Sequence, residues 1–176
     1  MKITADRDSK TLEDLAIKAS GGNEECFVMI CRVLEKKLFR TAKGILGNET
    51  LALDAVSEAV FRAFKNIKQL REPKYIETWF IRIVLNAAHD IQRRRKREVV
   101  TDTVPEGMHF DNHLELEIAQ MIDSLEPELR EIISLKYYSG YTLQEAAYIL
   151  KIPEGTVKSR LHRALKLLRL EVLDEQ

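Results

Sequence analysis

The sequence predicts an all-α protein of two small helical domains joined by a flexible acidic linker, the second a four-helix domain built around a helix-turn-helix. Three observations carry that prediction. Apolar residues recur at helical spacing from about residue 11 to 97 and again from about 114 to 173, and no stretch alternates as a strand would. Between the two runs, residues 98–113 (EVVTDTVPEGMHFDNH) hold Pro105, Gly107, Asp and Asn and no apolar stripe. Charge is also strongly polarised beneath a net balance of 28 basic against 28 acidic residues. Arg82 to Arg97 carries six basic residues and one acid, Asp90, which gives +5. Glu98 to Glu128 carries nine acids and no Lys or Arg, which gives −9. Thr156 to Arg169 carries five basic residues and no acid, again +5. An anionic stretch between two cationic helices is the organising pattern.

A chain of 176 residues has room for one ordinary domain or two small ones. Its 45% hydrophobic and 32% charged residues suit an ordered, helix-rich protein rather than a disordered one. No apolar run approaches the ~20 residues that span a bilayer. The first residues, MKITADRDSK, hold no apolar core of the secretory kind, so a cytoplasmic protein is the expectation. Cys26 and Cys31 stand five apart in an apolar helical stretch, which fits neither a disulfide framework nor a metal knuckle. No internal repeat is visible.

In the first half, Gly21-Gly22 and Gly47-Asn48 read as helix ends and Pro73 as a turn between helices. LDAVSEAVFRAFKNI places Ala52, Val56, Ala59, Val60, Ala63 and Ile67 on a core stripe, with Asp54, Glu58, Phe61, Arg62 and Lys65 projecting the other way. A phenylalanine amid charges resembles an interface anchor with a polar rim; packing under the N-terminal helix is the alternative. In WFIRIVLNAAHDIQRRRKR, Phe80, Ile81, Val84, Ala87, Ala88 and Ile91 form an apolar stripe. Arg82, Asn86, Arg93 and Arg97 take the far side, with His89 and Asp90 beside them and Arg94 in the basic run. An amide there can read base edges while arginines hold phosphates. Tyr75 and Trp79 divide between base stacking and packing, and Phe80 reads as core.

In the second half, Ser139-Gly140 marks a turn. Thr142 and Glu145 then form a capping box opening a short helix, Leu143 to Leu150. The connection Lys151-Ile152-Pro153 leads to a longer helix, the geometry of a helix-turn-helix whose second helix enters the DNA major groove. At about 100° per residue, Val157, Leu161, Ala164, Leu165 and Leu168 share one face of it. Ser159, His162, Arg163 and Lys166 oppose them, flanked by Lys158 and Arg160. A merely solvated helix mixes both charge signs; this acid-free face suits bases and phosphates.

Taken in order, DAVSEAVFRAF, WFIRIVLNAAHDIQRRRKR and LEPELREIISLKYYSGYTLQEAAYILKIPEGTVKSRLHRALKLL resemble a bacterial RNA polymerase sigma factor of the extracytoplasmic-function (ECF) type. The resemblance spans nearly all of residues 20–172. It implies residues 1–97 as a unit for core polymerase and the minus-ten element, 98–113 as the linker, and 114–176 as the minus-thirty-five unit. Asp54, Glu58, Phe61, Arg62 and Lys65 match the helix that grips the β′ clamp of core polymerase. Arg82, Asn86, Asp90, Arg93, Arg94 and Arg97 match the part that engages the minus-ten element, where the family captures a flipped base. Thr156, Lys158, Ser159, Arg160, His162, Arg163 and Lys166 match the minus-thirty-five-reading helix. The chain departs from the family's pattern at Leu51 (usually an acid), Ser57 (usually Gln) and Lys151 (usually Gly).

The partners so implied are core polymerase (β′ clamp and β flap), double-stranded and melted promoter DNA, and an anti-sigma factor, which could hold the chain at the membrane. No catalytic residue, metal, cofactor, small-molecule substrate or stable homo-oligomer is expected. A free-standing repressor would need a dimer surface and no exposed Phe61 face. An enzyme acting on nucleic acid would need a metal or nucleotide motif that the sequence lacks. The −9 stretch could also lie against the two +5 helices and mask them in the free chain.

Overall fold

A computed structural model describes residues 3–98, 121, 122 and 124–174, which form seven helices with no strand among the described residues. They are α1 (Ile3–Ser20), α2 (Glu24–Leu46), α3 (Glu49–Asn66), α4 (Ile76–Glu98), α5 (Pro127–Ile133), α6 (Leu143–Leu150) and α7 (Glu154–Asp174). Two 3-10 turns, Ile67–Gln69 and Pro73–Tyr75, join α3 to α4, and α5 runs on into a π turn over Ser134–Tyr138. The all-α expectation is met. Residues 99–113 of the expected linker, and with them the idea that the acidic stretch masks the basic helices, lie outside the described residues, as do residues 114–120.

Helix boundaries follow local chemistry. Asn23 caps α2 by accepting from the Cys26 N–H at 2.9 Å, and Asn48 caps α3 by accepting from the Leu51 N–H at 2.9 Å. Such caps satisfy otherwise orphaned amides and contribute about 1 kcal/mol each. α2 ends where Gly47 turns left-handed at φ 64° and donates to the Lys43 carbonyl at 2.8 Å. At the start of α6 both halves of the capping box form: the Glu145 N–H reaches Thr142 Oγ1 at 3.2 Å, and the Thr142 N–H reaches Glu145 Oε2 at 2.7 Å.

α2 is the central helix. Phe27, Ile30, Leu34, Leu38, Ala42 and Ile45 are buried along it, against α1, α3 and α4. α3 meets this wall with small side chains, since Ala52, Ala55, Ala59 and Ala63 are all fully buried. Val56 and Val60, expected in its core stripe, are only half-buried, because the alanines form the line of closest approach. From α4, Phe80, Ile81, Val84, Ala87 and Ala88 are buried as expected and Ile91 half-buried, with Phe80 stacked on Phe27 at 6.3 Å.

The second half joins this core. Ile132, Leu135, Tyr141, Ala146, Ala147, Ile149 and Val157 belong to the same apolar cluster as α1–α4. A smaller cluster of Ile122, Leu125, Leu129, Ile133 and Ala164 lies beneath α5 and α7. Arg130 is fully buried between the two, its guanidinium donating to the Ile45 carbonyl at 3.2 Å and the Leu125 carbonyl at 3.1 Å. Ile45 is one of the last residues of α2, where carbonyls lack helical partners and a cation is favoured. One expectation for α7 fails: Leu165, assigned to its apolar face, is 41% exposed. Among the described residues, α5 and α6 are the helices packed most closely on α7, and neither covers Leu165 fully.

Candidate functional site

Three surfaces hold the residues singled out in the sequence. The first is the outer face of α7. Val157 and Ala164 anchor the helix beneath, leaving Lys158, Ser159, His162, Arg163 and Lys166 exposed and Thr156 and Arg160 half-buried. The turn before it is left-handed at Lys151, φ 57°, where the Ile152 N–H closes on the Ala147 carbonyl at 3.1 Å. In space the face is not free of acids. Lys158 pairs with Glu154 at 2.8 Å along the helix, and Arg163 with Glu126 at 2.8 Å from the start of α5. Exposed pairs like these stabilise by only ~0–1 kcal/mol, so a phosphate displaces the carboxylate readily.

The second surface is α4. Asn86, Arg93, Arg94 and Arg97 are exposed along it. Asp90 is half-buried between Arg62, whose Nη1 donates at 2.8 Å, and Arg93. Hydrogen bonds from these guanidiniums, Arg62 first, hold its carboxyl below the ordinary aspartate range. Arg62 Nε also donates to Glu58 Oε1 at 2.7 Å, so one side chain expected at the protein interface ties α3 to α4. The position of Arg82 is a correction. The sequence placed it on the free side with Asn86, whereas it is half-buried and donates to the Ile149 carbonyl at 2.7 Å and the Tyr148 carbonyl at 2.6 Å. His89 likewise meets Glu131 at 2.7 Å. Tyr75 is 38% exposed and its ring lies 5.2 Å from that of Tyr148, while Trp79 is half-buried with its ring edge-on to Phe80 at 6.1 Å.

The third surface is the outer face of α3. Phe61 is 54% exposed, so it does not pack under the N-terminal helix. Lys65 Nζ sits 4.0 Å above the centre of its ring, and Asp54 and Glu58 are exposed nearby. Leu53 and Phe64 are also exposed and share the arc, which makes the spot a strip rather than a point. Sequence reasoning missed both, although their spacing of eight and three residues from Phe61 carries the signal. Among the described residues no cluster of His, Cys, Asp and Glu is arranged to hold a metal ion. Cys31 is half-buried, and burial pushes its thiol up to about 11.

Comparison with known proteins gives the family. Residues 32–98 match the family described as Sigma-70 region 2, and residues 115–168 match Sigma-70, region 4. α3 and α4 fall in the first match, α6 and most of α7 in the second. The chain belongs to the sigma-70 family. Within it, the ECF type is indicated by its relatives. It is 31% identical over 172 residues to the ECF RNA polymerase sigma factor SigW of Bacillus subtilis, covering 87% of this chain and 92% of that one. To the RNA polymerase sigma factor SigV of the same organism it is 31% identical over 147 residues, covering 80% and 87%. Among solved structures it superposes on CnrH in complex with the cytosolic domain of CnrY, with a TM-score of 0.75 at 23% identity over 94% of this chain and 99% of that one. The sigma factor RpoE of Bartonella quintana, solved with the anti-sigma factor NepR, gives 0.65 at 23% identity over 84% and 96%. This ECF sigma factor therefore shares their helical fold.

Proposed function

We propose that this chain directs core RNA polymerase to promoters and does so by recruitment, with no bond chemistry of its own. The observation that carries the reading is the outer face of α7. Lys158, Ser159, His162, Arg163 and Lys166 stand exposed on a helix set behind a boxed α6 and a left-handed turn. Together with Thr156 and Arg160, they read the minus-thirty-five element in the major groove. Asn86, Arg93, Arg94 and Arg97, with Asp90 orienting Arg93, engage the minus-ten element, and Arg82 joins them once released from α6. Asp54, Glu58, Phe61 and Lys65 seat the β′ clamp, with Arg62 bracing that face against α4.

In this reading residues 1–97 act on polymerase and the minus-ten element. Residues 98–113 are the tether, and residues 114–176 read the minus-thirty-five element and dock on the β flap. CnrH and RpoE were each captured with a protein partner, CnrY and the anti-sigma factor NepR respectively. By analogy we assign an anti-sigma factor to this chain. No helix among the described residues is long and apolar enough to cross a membrane. The proposed site of action is the cytoplasm. The test is run-off transcription with purified core polymerase on pooled genomic fragments of the source bacterium. Discrete transcripts that appear only when the chain is added support the reading, and their absence on every template refutes it.

A further inference from the structure

The turn that joins α1 to α2 and the turn that follows α3 border a cleft of about 340 Å³. Its walls are apolar: Ala19 near the end of α1, Phe27 on α2, and Phe64 and Ile67 around the end of α3. Phe27 and Ile67 are each 4% exposed, whereas Phe64 stays 45% exposed with its ring edge-on to Phe27 at 5.3 Å. Gly22 lines the cleft at φ 101°, and a Cβ there would meet nothing within 4 Å, so the missing side chain leaves that side open. Three charged side chains line it as well, Lys65, Lys68 and Glu24, all of them exposed. Lys65 lies over the Phe61 ring, and among the described residues neither lysine is paired with a carboxylate.

We propose that this cleft binds a small amphipathic anion, an aromatic ring with a short carboxylate arm, and that its occupancy weakens the hold of α3 on polymerase. Size supports it. At the ~30 Å³ that one water molecule takes up in the liquid, the cleft has room for roughly eleven non-hydrogen atoms. That is one ring with a short arm, at the small end of ligand pockets, which begin near ~300 Å³. Chemistry supports it too. A ring laid on Phe64 covers apolar surface that folding leaves in water, and aromatic walls favour a ring over a chain. Two ammoniums against the one carboxylate of Glu24 give these lining side chains a net charge of +1, which selects an acid over an amine. Lys65 also belongs to the strip assigned to the β′ clamp, so a carboxylate that takes its ammonium withdraws it from Phe61. This link to polymerase rests on the sigma-factor reading above; the binding does not.

The test titrates the full chain with 3-phenylpropionate, which matches that size, and with its uncharged counterpart 3-phenylpropanol. Binding is followed by nuclear magnetic resonance on the backbone amides, at low salt where exposed charges are least screened. The expected result is a saturable shift of the Gly22, Phe64 and Lys68 amides, with the alcohol binding about fivefold more weakly than the acid. Lys68→Gln is expected to weaken the acid about threefold and Glu24→Gln to tighten it about twofold, while neither moves the alcohol. With core polymerase added, saturating acid should lower β′ retention by about threefold, and Lys68→Gln should blunt that loss. No saturable shift, or equal binding of acid and alcohol, overturns the site. Retention unchanged by bound acid overturns the link to polymerase. A Lys68→Gln chain that loses β′ retention with no acid present gives the cleft to the protein partner and overturns the ligand. Wild type that retains no β′ even without acid refutes the sigma reading and the link with it, while the titration still decides the site.

Discussion

Arg163 holds one partner in the free chain and is assigned another on DNA. Its bond to Glu126, 2.8 Å long with both side chains more than half exposed, is the kind of pair that stabilises by at most ~1 kcal/mol. Bidentate contact with guanine O6 and N7 discriminates by about 1–3 kcal/mol. Arg163→Ala is therefore expected to lose about that much at one minus-thirty-five base pair and nothing at the others, measured as holoenzyme binding to single-base promoter variants. Uniform weakening across all sequences would make Arg163 a phosphate contact instead. Phe61→Ala is expected to reduce retention of β′ in a pull-down by roughly tenfold or more, as for an interface anchor, with an unchanged helical circular dichroism spectrum. Retention equal to wild type would remove the α3 face from the polymerase interface. Phe61 was legible because a large apolar side chain breaks a charged arc. Arg82 was not, since periodicity tells which side of a helix faces away from its own core but not what a segment 66 residues later lays over it. Glu126 escaped for the same reason: it lies outside α7 along the chain and reaches Arg163 only through folding.

Boundaries were the most legible features of the elements, because each is set by chemistry within a few residues. Thr142 with Glu145, Gly47 and Gly22 all mark helix ends where the sequence placed them. Lys151 tests that logic, being the one non-glycine residue with positive φ among the described residues. A Cβ there costs about 1 kcal/mol, and glycine would remove the cost while adding freedom to the unfolded chain. Lys151→Gly is thus expected to stabilise by up to about 1 kcal/mol, raising Tm by roughly 2–4 °C in a chain of this size. A lower Tm would mean that the lysine side chain contributes more than its backbone strain removes. Less legible was the width of an apolar face. Leu165 falls within the angular stripe of α7 yet stays 41% exposed, because an angle cannot count how many neighbours arrive to cover it.

At the scale of the whole molecule, the alternation of charge suggested two basic arms kept apart by an acidic tether, and it gave no hint of the polar seam along which the second half of the chain packs on the first. Its polar contacts link residues 64 to 98 positions apart through Thr41, Ser134, Ser139 and Tyr141, a set with no periodic signature in either half. Tyr141 offers a way to watch the seam in solution. It is 6% exposed, its hydroxyl donates to Glu77, and burial, aided by the Glu77 charge, holds the phenol far above its usual range. A folded-state pKa raised above the unfolded value of about 10 gives stability that is complete below that pH and lost as pH climbs past it. Tyr141→Phe is expected to cost about 1 kcal/mol at pH 8, through the lost hydrogen bond. Its unfolding free energy, followed by urea denaturation from about pH 8 to 11, should then fall less steeply than that of wild type, since a group that cannot ionise adds no proton linkage. Lysines remote from Tyr141 ionise alike in both chains and cancel in the comparison, and Lys37, which shares Glu77 with Tyr141, is replaced by Arg in both so that it stays charged. Parallel slopes would mean that water reaches the phenol in the folded chain, which it can do only if the two halves stand apart.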